Sequence, residues 1–273
     1  MLNPLDFEFM VRALWGGLMA GTLAPALGVF LYLRRLSLIA DTLAHVAFMG
    51  VAIGLITNVF PVVIALISTV IAAASIEFLR SRRLLPGDAA LAVFLYSSLA
   101  VAVIVIGFSD GFNADLFGYL FGSILTISDT DLWLLAGLAV ITLGFVAVFF
   151  SELAQTSFHA DLARTSGVRV DLINLGLAVL TGATITLSMR VVGVLLIGAL
   201  IVIPVVAALR ITTGLRQTII VAMLMGMASS TGGLLIAFYT DMAPGGAVVM
   251  TAVGILIATT IWRLGATRKP QPQ

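Results

Sequence analysis

The sequence predicts an all-α protein that threads a lipid bilayer about nine times, and three observations predict it. Of its 273 residues, 61% are hydrophobic and only 10% charged, outside the balance of water-soluble domains. Apolar runs recur along the chain, each long enough to cross a hydrocarbon core of roughly 30 Å as a helix. Nearly all the charged side chains fall in the gaps between those runs.

The runs lie near 10–33, 37–57, 60–79, 89–108, 132–150, 172–189, 191–209, 217–238 and 246–262. The division between 172–189 and 191–209 rests on Arg190 alone, so eight helices is the alternative count. Pro204 is expected to kink or locally unwind its helix. The pairs Gly17 and Gly21, Gly50 and Gly54, and Gly118 and Gly122 have the four-residue spacing that lets helix backbones approach closely. Gly50 and Gly54 matter most, because they continue the second run.

Orientation follows from the short loops. Arg34 and Arg35, Arg80, Arg82 and Arg83, Arg164 and Arg169, Arg210 and Arg216, and Arg263, Arg268 and Lys269 all fall on one side of a nine-helix chain. The other side carries Asp6, Glu8, Asp110, Asp115, Asp129, Asp131 and Asp241, with only Arg12 and Arg190 as basic residues. The positive-inside rule makes the first side cytoplasmic, placing the N-terminus outside and the C-terminus inside. The acidic start, Met1 to Glu8, lacks the basic region of a cleavable signal peptide, so none is expected.

Residues 1–265 therefore read as one membrane domain, followed by a polar tail, 266–273. Two segments inside it do not span. The outer stretch 109–131 holds an apolar piece, 113–125, too short to cross and suited to a re-entrant or interfacial helix, a candidate outer gate. The inner stretch 151–171 holds a short polar helix with Asp161 near its start and Gly167 as its stop, suited to engaging a cytoplasmic partner.

Asp41 and His45 are the exceptions to the rule that charge stays in the loops. Their spacing of four places carboxylate and imidazole on one helix face, about one turn apart. Counted from Arg35, they lie about 9 and 15 Å into the bilayer. An ionisable group at that depth costs roughly 2.5 kcal/mol or more on insertion scales, which makes it a functional-site hypothesis. The pair has the chemistry of two hard-to-borderline metal ligands facing the same way, and the bland alternative is a polar pair bonding neighbouring helices. Glu77, about one turn from Arg80, reads as a local ion pair or a solvated helix end. Met49 offers a thioether one turn beyond His45 but reads first as packing.

Several chemistries are excluded. Without cysteine there is no disulfide and no thiolate metal site. A phosphate-binding loop of the ATPase type needs a lysine before a hydroxyl residue, and the only lysine, Lys269, precedes Pro270. Two histidines and no zinc-hydrolase motif leave an intramembrane hydrolase without a third ligand. No catalytic residue and no nucleic-acid partner are expected. A gradient-driven carrier using Asp41 as its proton site is the rival to an ATP-driven transporter.

The residues Arg34 to Gly54, RRLSLIADTLAHVAFMGVAIG, resemble the signature of the permease subunits of ABC transporters for zinc, manganese and iron. The likeness runs through DLFGYLFGS (115–123), DLARTSGV (161–168), VGVLLIGALIVIP (192–204), STGGLL (230–235) and DMAPG (241–245).

The resemblance implies a cobalamin-importer type of ABC membrane domain with one fewer helix at the N-terminus, in the bacterial cytoplasmic membrane. It implies a second permease copy as homodimer partner, two cytoplasmic ATP-binding subunits, and a metal-binding protein delivering cargo outside. It implies no permanent cofactor, only a transported divalent metal: zinc first, with manganese or iron as alternatives. It places metal at Asp41 and His45, two carboxylates and two imidazoles if both copies contribute. Asp161, Leu162, Ala163 and Gly167 become the helix coupled to the ATPase, and Asp115, Phe117, Gly118 and Gly122 the outer gate. Gly50, Gly54 and Pro204 become helix-packing positions.

Overall fold

Each apolar run closes its own backbone hydrogen bonds as a helix, the one way a single segment satisfies its N–H and C=O groups in lipid. The structure, a computed structural model, describes residues 4–82, 84–108 and 114–266. A 3₁₀ turn at Pro4–Asp6 precedes twelve helices: α1 Glu8–Leu33, α2 Leu38–Thr57, α3 Pro61–Ser81, α4 Gly87–Gly107, α5 Ala114–Phe121, α6 Asp129–Val148, α7 Phe150–Phe158, α8 Ala160–Thr165, α9 Val170–Val192, α10 Val194–Leu209, α11 Leu215–Thr240 and α12 Pro244–Ala266. The expected tail lies outside the described residues from 267 on, as do Arg83, Asp110 and the start of the outer stretch.

Among the described residues, eight helices are long and apolar enough to cross a membrane: α1, α2, α3, α4, α6, α9, α11 and α12. The ninth run forms α10, whose 16 residues reach about 24 Å at 1.5 Å per residue, short of a full crossing. The helices alternate between two rims. The N rim, where α1 begins, also carries the starts of α6 and α12; the C rim, where α1 ends, carries α7 and α8.

Helix α10 is short because the chain breaks inside the bundle. The break is at Gly193, with φ +91°, and not at Arg190, which stays within α9. A side chain at 193 would collide with the backbone of Leu120, Phe121 and Gly122, so only glycine permits this conformation and this approach. Val191 packs on Gly16 of α1, eight residues inside its start, so the break lies about 12 Å below the N rim. Local unwinding at Pro204 is not seen: α10 is helical through it, and Gly193 absorbs the discontinuity instead.

Packing relies on small residues, since lipid supplies no hydrophobic drive between helices. Gly17 and Gly21 of α1 seat Leu234, Ser230 and Gly226 of α11, while Gly50 and Gly54 of α2 seat Ala65, Ser68 and Pro61 of α3. Gly118 does not pack this way among the described residues, where the Ser123 Cβ at 3.8 Å is its one neighbour in reach. Many buried hydroxyls donate within their own helices or across them, as where Thr186 of α9 donates to Thr69 of α3 at 3.1 Å, whereas Thr142, Thr184 and Ser188 find no partner among the described residues.

Candidate functional site: an open polar stripe on α2

Helix α2 is buried over most of its circumference, through Ile39, Ala40, Leu43, Ala44, Val46, Ala47 and Val51. One stripe remains open: Leu38 is 56% exposed, Asp41 is exposed, and His45 and Met49 are half-buried. Asp41 occupies the first turn of α2, where the partial positive charge of the helix N-terminus favours a carboxylate. Asp41 and His45 act on each other electrostatically. Among the described residues, no group of three or more His, Asp or Glu side chains is placed to hold a metal ion. One chain therefore brings two donors to this stripe.

The wall facing Asp41 is α10. A Cβ at Gly198 would overlap the Asp41 Oδ1, so the α10 backbone closes on the carboxylate where any other residue would displace it. Gly198 has no signal in the sequence beyond being a glycine in an apolar run. Gly50 and Gly54 lie on the buried side of α2 and fasten it to α3, away from the stripe.

At the N rim, Phe117 of α5 is exposed and stacks on Phe121, with ring centroids 6.3 Å apart. Asp115 falls in α5, with its side chain outside the described set. Helix α5 is shorter than the apolar stretch around it because Gly122, at φ +79°, ends it. Gly122 and Gly193 interlock backbone to backbone, and Gly245 at the start of α12 closes on Val192 and Phe121. The Ser123 N–H donates to the Arg190 carbonyl at 3.1 Å. Arg190 in turn donates to Asp131 at 2.5 Å, and Asp131 completes a capping box with Ser128 at the start of α6.

At the C rim, Asp161 and Leu162 of α8 are exposed, Leu162 by 63%, while Ala163 is buried and Gly167 turns the chain at φ +85°. A groove of about 570 Å³ runs between α7 and α8, lined by Gln155, Phe158, His159 and Leu162 among others. Behind it lies a polar cluster. Arg34, in the loop between α1 and α2, donates from Nε to Ser157 Oγ at 3.1 Å, from NH2 to Thr156 Oγ1 at 3.0 Å, and from NH1 to Asn174 of α9. Glu77 of α3 lies beside this cluster and pairs with Arg80 at 3.5 Å. Glu77 is only 4% exposed, so it is no solvated helix end. Burial, with the Arg80 charge beside it and Glu77 opposing, lowers the Arg34 guanidinium to about 10, where it keeps its charge at neutral pH.

A multi-span helical bundle with a short, broken central helix and a polar stripe on an open face is the architecture of a membrane permease. The chain belongs to the ABC 3 transport family, which its residues 6–263 match. It is 34% identical over 253 residues to a probable metal transport system membrane protein of Treponema pallidum, covering 93% of this chain and 95% of that one. It is 32% identical over 257 residues to the high-affinity zinc uptake system membrane protein ZnuB of Haemophilus influenzae, covering 94% and 98%. It is 30% identical to the manganese import system permease protein ScaB of Streptococcus gordonii over 254 residues, covering 93% and 91%. Among solved structures it resembles PsaBC from Streptococcus pneumoniae in complex with a Fab, at TM-score 0.83 and 30% identity, covering 93% of this chain and 92% of that one. An inward-facing conformation of a putative metal-chelate type ABC transporter shares the fold at TM-score 0.72 and 14% identity, covering 96% of this chain and 90% of that one. The protein is thus a multi-span permease of the bacterial cytoplasmic membrane.

Proposed function

We propose that this chain is the permease through which an ATP-driven importer moves divalent metal into the cytoplasm. The observation that carries the proposal is the open stripe on α2, where Asp41 and His45 present oxygen and nitrogen donors beside the close wall at Gly198. Two donors from one chain make an incomplete shell. A second copy facing the same stripe would bring the set to two carboxylates and two imidazoles, which Zn²⁺ accepts in tetrahedral geometry. Mn²⁺ and Fe²⁺ accept the same donors. Zinc is the proposed cargo, supported by the ZnuB relative, and manganese is the second reading, supported by ScaB at nearly the same identity. A shell of few ligands suits passage, which requires binding weak enough to release.

The C rim faces the cytoplasm, because Arg34, Arg35, Arg80, Arg82, Arg164, Arg169, Arg210, Arg216 and Arg263 gather there. The exposed faces of Asp161 and Leu162 meet one of two ATP-hydrolysing subunits. At the N rim, the α5 region with Phe117 and Gly122 forms the outer gate, over which a metal-binding protein delivers cargo. Nucleotide-driven closure of the ATPase pair shifts the two permeases between outward and inward openings.

The test is reconstitution in liposomes with the cognate ATPase and metal-loaded binding protein, measuring zinc and manganese uptake with and without ATP. ATP-dependent zinc uptake exceeding that of manganese is expected. The reverse preference selects the manganese reading. Uptake by this chain alone, abolished by an uncoupler, sinks the importer and leaves a gradient-driven carrier.

A further inference from the structure

Three features of the molecule stand outside the metal pathway. A groove beside α12, lined by Met242, Gly246, Met250 and Gly254, is apolar and open, with nothing in the structure to say what fills it. The Arg190–Asp131 pair fastens the N rim and is consistent with a structural fastener. The Arg34 cluster differs from both, because it joins the segment proposed to meet the ATPase to the helix proposed to hold the metal.

We infer that Arg34 is a positioning residue that carries movement of α7 and α8 to α2. All three guanidinium nitrogens are committed: two to hydroxyls of α7, one to α9. Helix α8 follows α7 after the single residue His159, and Arg164 of α8 pairs with Asp171 at the start of α9 at 2.9 Å. Displacement of α8 therefore moves Thr156 and Ser157. Arg34 is separated from α2 by only three residues, one of which, Arg35, is held in the left-handed region at φ 58°. A link this short leaves little slack to absorb displacement. Helix α2 begins with Leu38 and reaches Asp41 within its first turn. The geometry supplies a continuous mechanical path, in hydrogen bonds and one tight turn, from α8 to the carboxylate.

A guanidinium suits the role better than an ammonium would. Its planar fork holds several acceptors in fixed directions, whereas a lysine is a rotatable point charge. Asn174 of α9 accepts from Arg34, and the Glu77 carboxylate of α3 lies near enough to act on its charge.

This inference rests on the proposed ATP-driven importer, and its test is chosen to fail separately. The chain contains no cysteine, so Leu38→Cys places one thiol on the permease at the start of the open stripe. In the complete complex with its ATPase, without metal, the rate of labelling by a water-soluble maleimide is compared between nucleotide-free and ATP-vanadate-trapped states. In the otherwise wild-type chain the two rates should differ by at least about fivefold, the lower end of ordinary coupling between sites. With Arg34→Ala, or with Thr156→Val and Ser157→Ala together, the difference should vanish while ATP hydrolysis persists. Thr156→Ser, which keeps the acceptor, should retain it. The inference is overturned if Leu38→Cys never responds to nucleotide, if the response survives in the Thr156→Val and Ser157→Ala variant, or if response and hydrolysis are lost in parallel. Because no metal is present, a mistaken cargo changes the uptake result and leaves this one untouched.

Discussion

Gly198→Ala isolates the proposed metal pair, Asp41 and His45, from the rest of the bundle. The added methyl would overlap the Asp41 carboxylate oxygen, with Asp41 Cγ at 3.3 Å and Asp41 N at 3.8 Å as its next neighbours. The clash falls on the end of a side chain that is exposed on its other flank, so the carboxylate swings aside and the helices stay in place. The cost to the fold should be below about 1 kcal/mol, under the range for overpacking a closed core. The cost to the site should be larger. Displacing a metal ligand's support lowers metal affinity by about 10- to 100-fold, or roughly 1.4–2.7 kcal/mol. In reconstituted liposomes the half-saturating metal concentration should rise by that factor while the purified complex melts as wild type does. Two controls bracket the effect. Gly28→Ala drives a methyl into the Ile201 backbone carbonyl, which cannot rotate away, and should destabilise the protein by about 1–3 kcal/mol. Gly137→Ala enters open space inside α6 and should leave metal dependence unchanged while melting no lower than wild type, since alanine favours a helix over glycine by about 0.5–1 kcal/mol. A Gly198→Ala permease with unaltered metal dependence would refute the claim that α10 positions Asp41.

Glu77→Gln should remove the counter-ion of the half-buried Arg80 and lower stability by about 1–3 kcal/mol, read as loss of melting temperature in detergent. An unchanged melting temperature would mean the Arg80 charge reaches water. Arg190→Ala and Asp131→Ala should each destabilise the N rim, and the double variant should fall short of their sum by about 0.5–3 kcal/mol, because they share one contact. Strict additivity in that cycle would deny that the pair holds α6 against α9.

The spanning helices are legible in the sequence because lipid imposes length and apolarity on each one separately. What escapes is set by residues far apart in the chain. Arg190 reads as a loop because a lone arginine ends an apolar run, yet its charge is met by Asp131 and the helix continues to Val192. The true break at Gly193 is invisible until α5 is known to press against it. Gly122 looks like half of a packing pair with Gly118, but its left-handed backbone makes it a helix stop. Glu77 shows its local partner, Arg80, and hides its burial, which comes from helices distant in the chain. Arg34 reads as one more positive-inside charge, since a count of loop charges says nothing about which acceptors wait on α7. Asp41 and His45 were legible as a pair from spacing alone, and the open stripe that carries them was not, because exposure depends on which faces the other helices cover.

The most direct test of the account compares ATP-dependent zinc and manganese uptake, from the loaded binding protein, by the wild-type complex and by its Asp41→Asn and His45→Ala variants. The account predicts that uptake of the transported metal falls to background in both variants while the complex still assembles and binds nucleotide. Transport at the wild-type rate by both variants would contradict it.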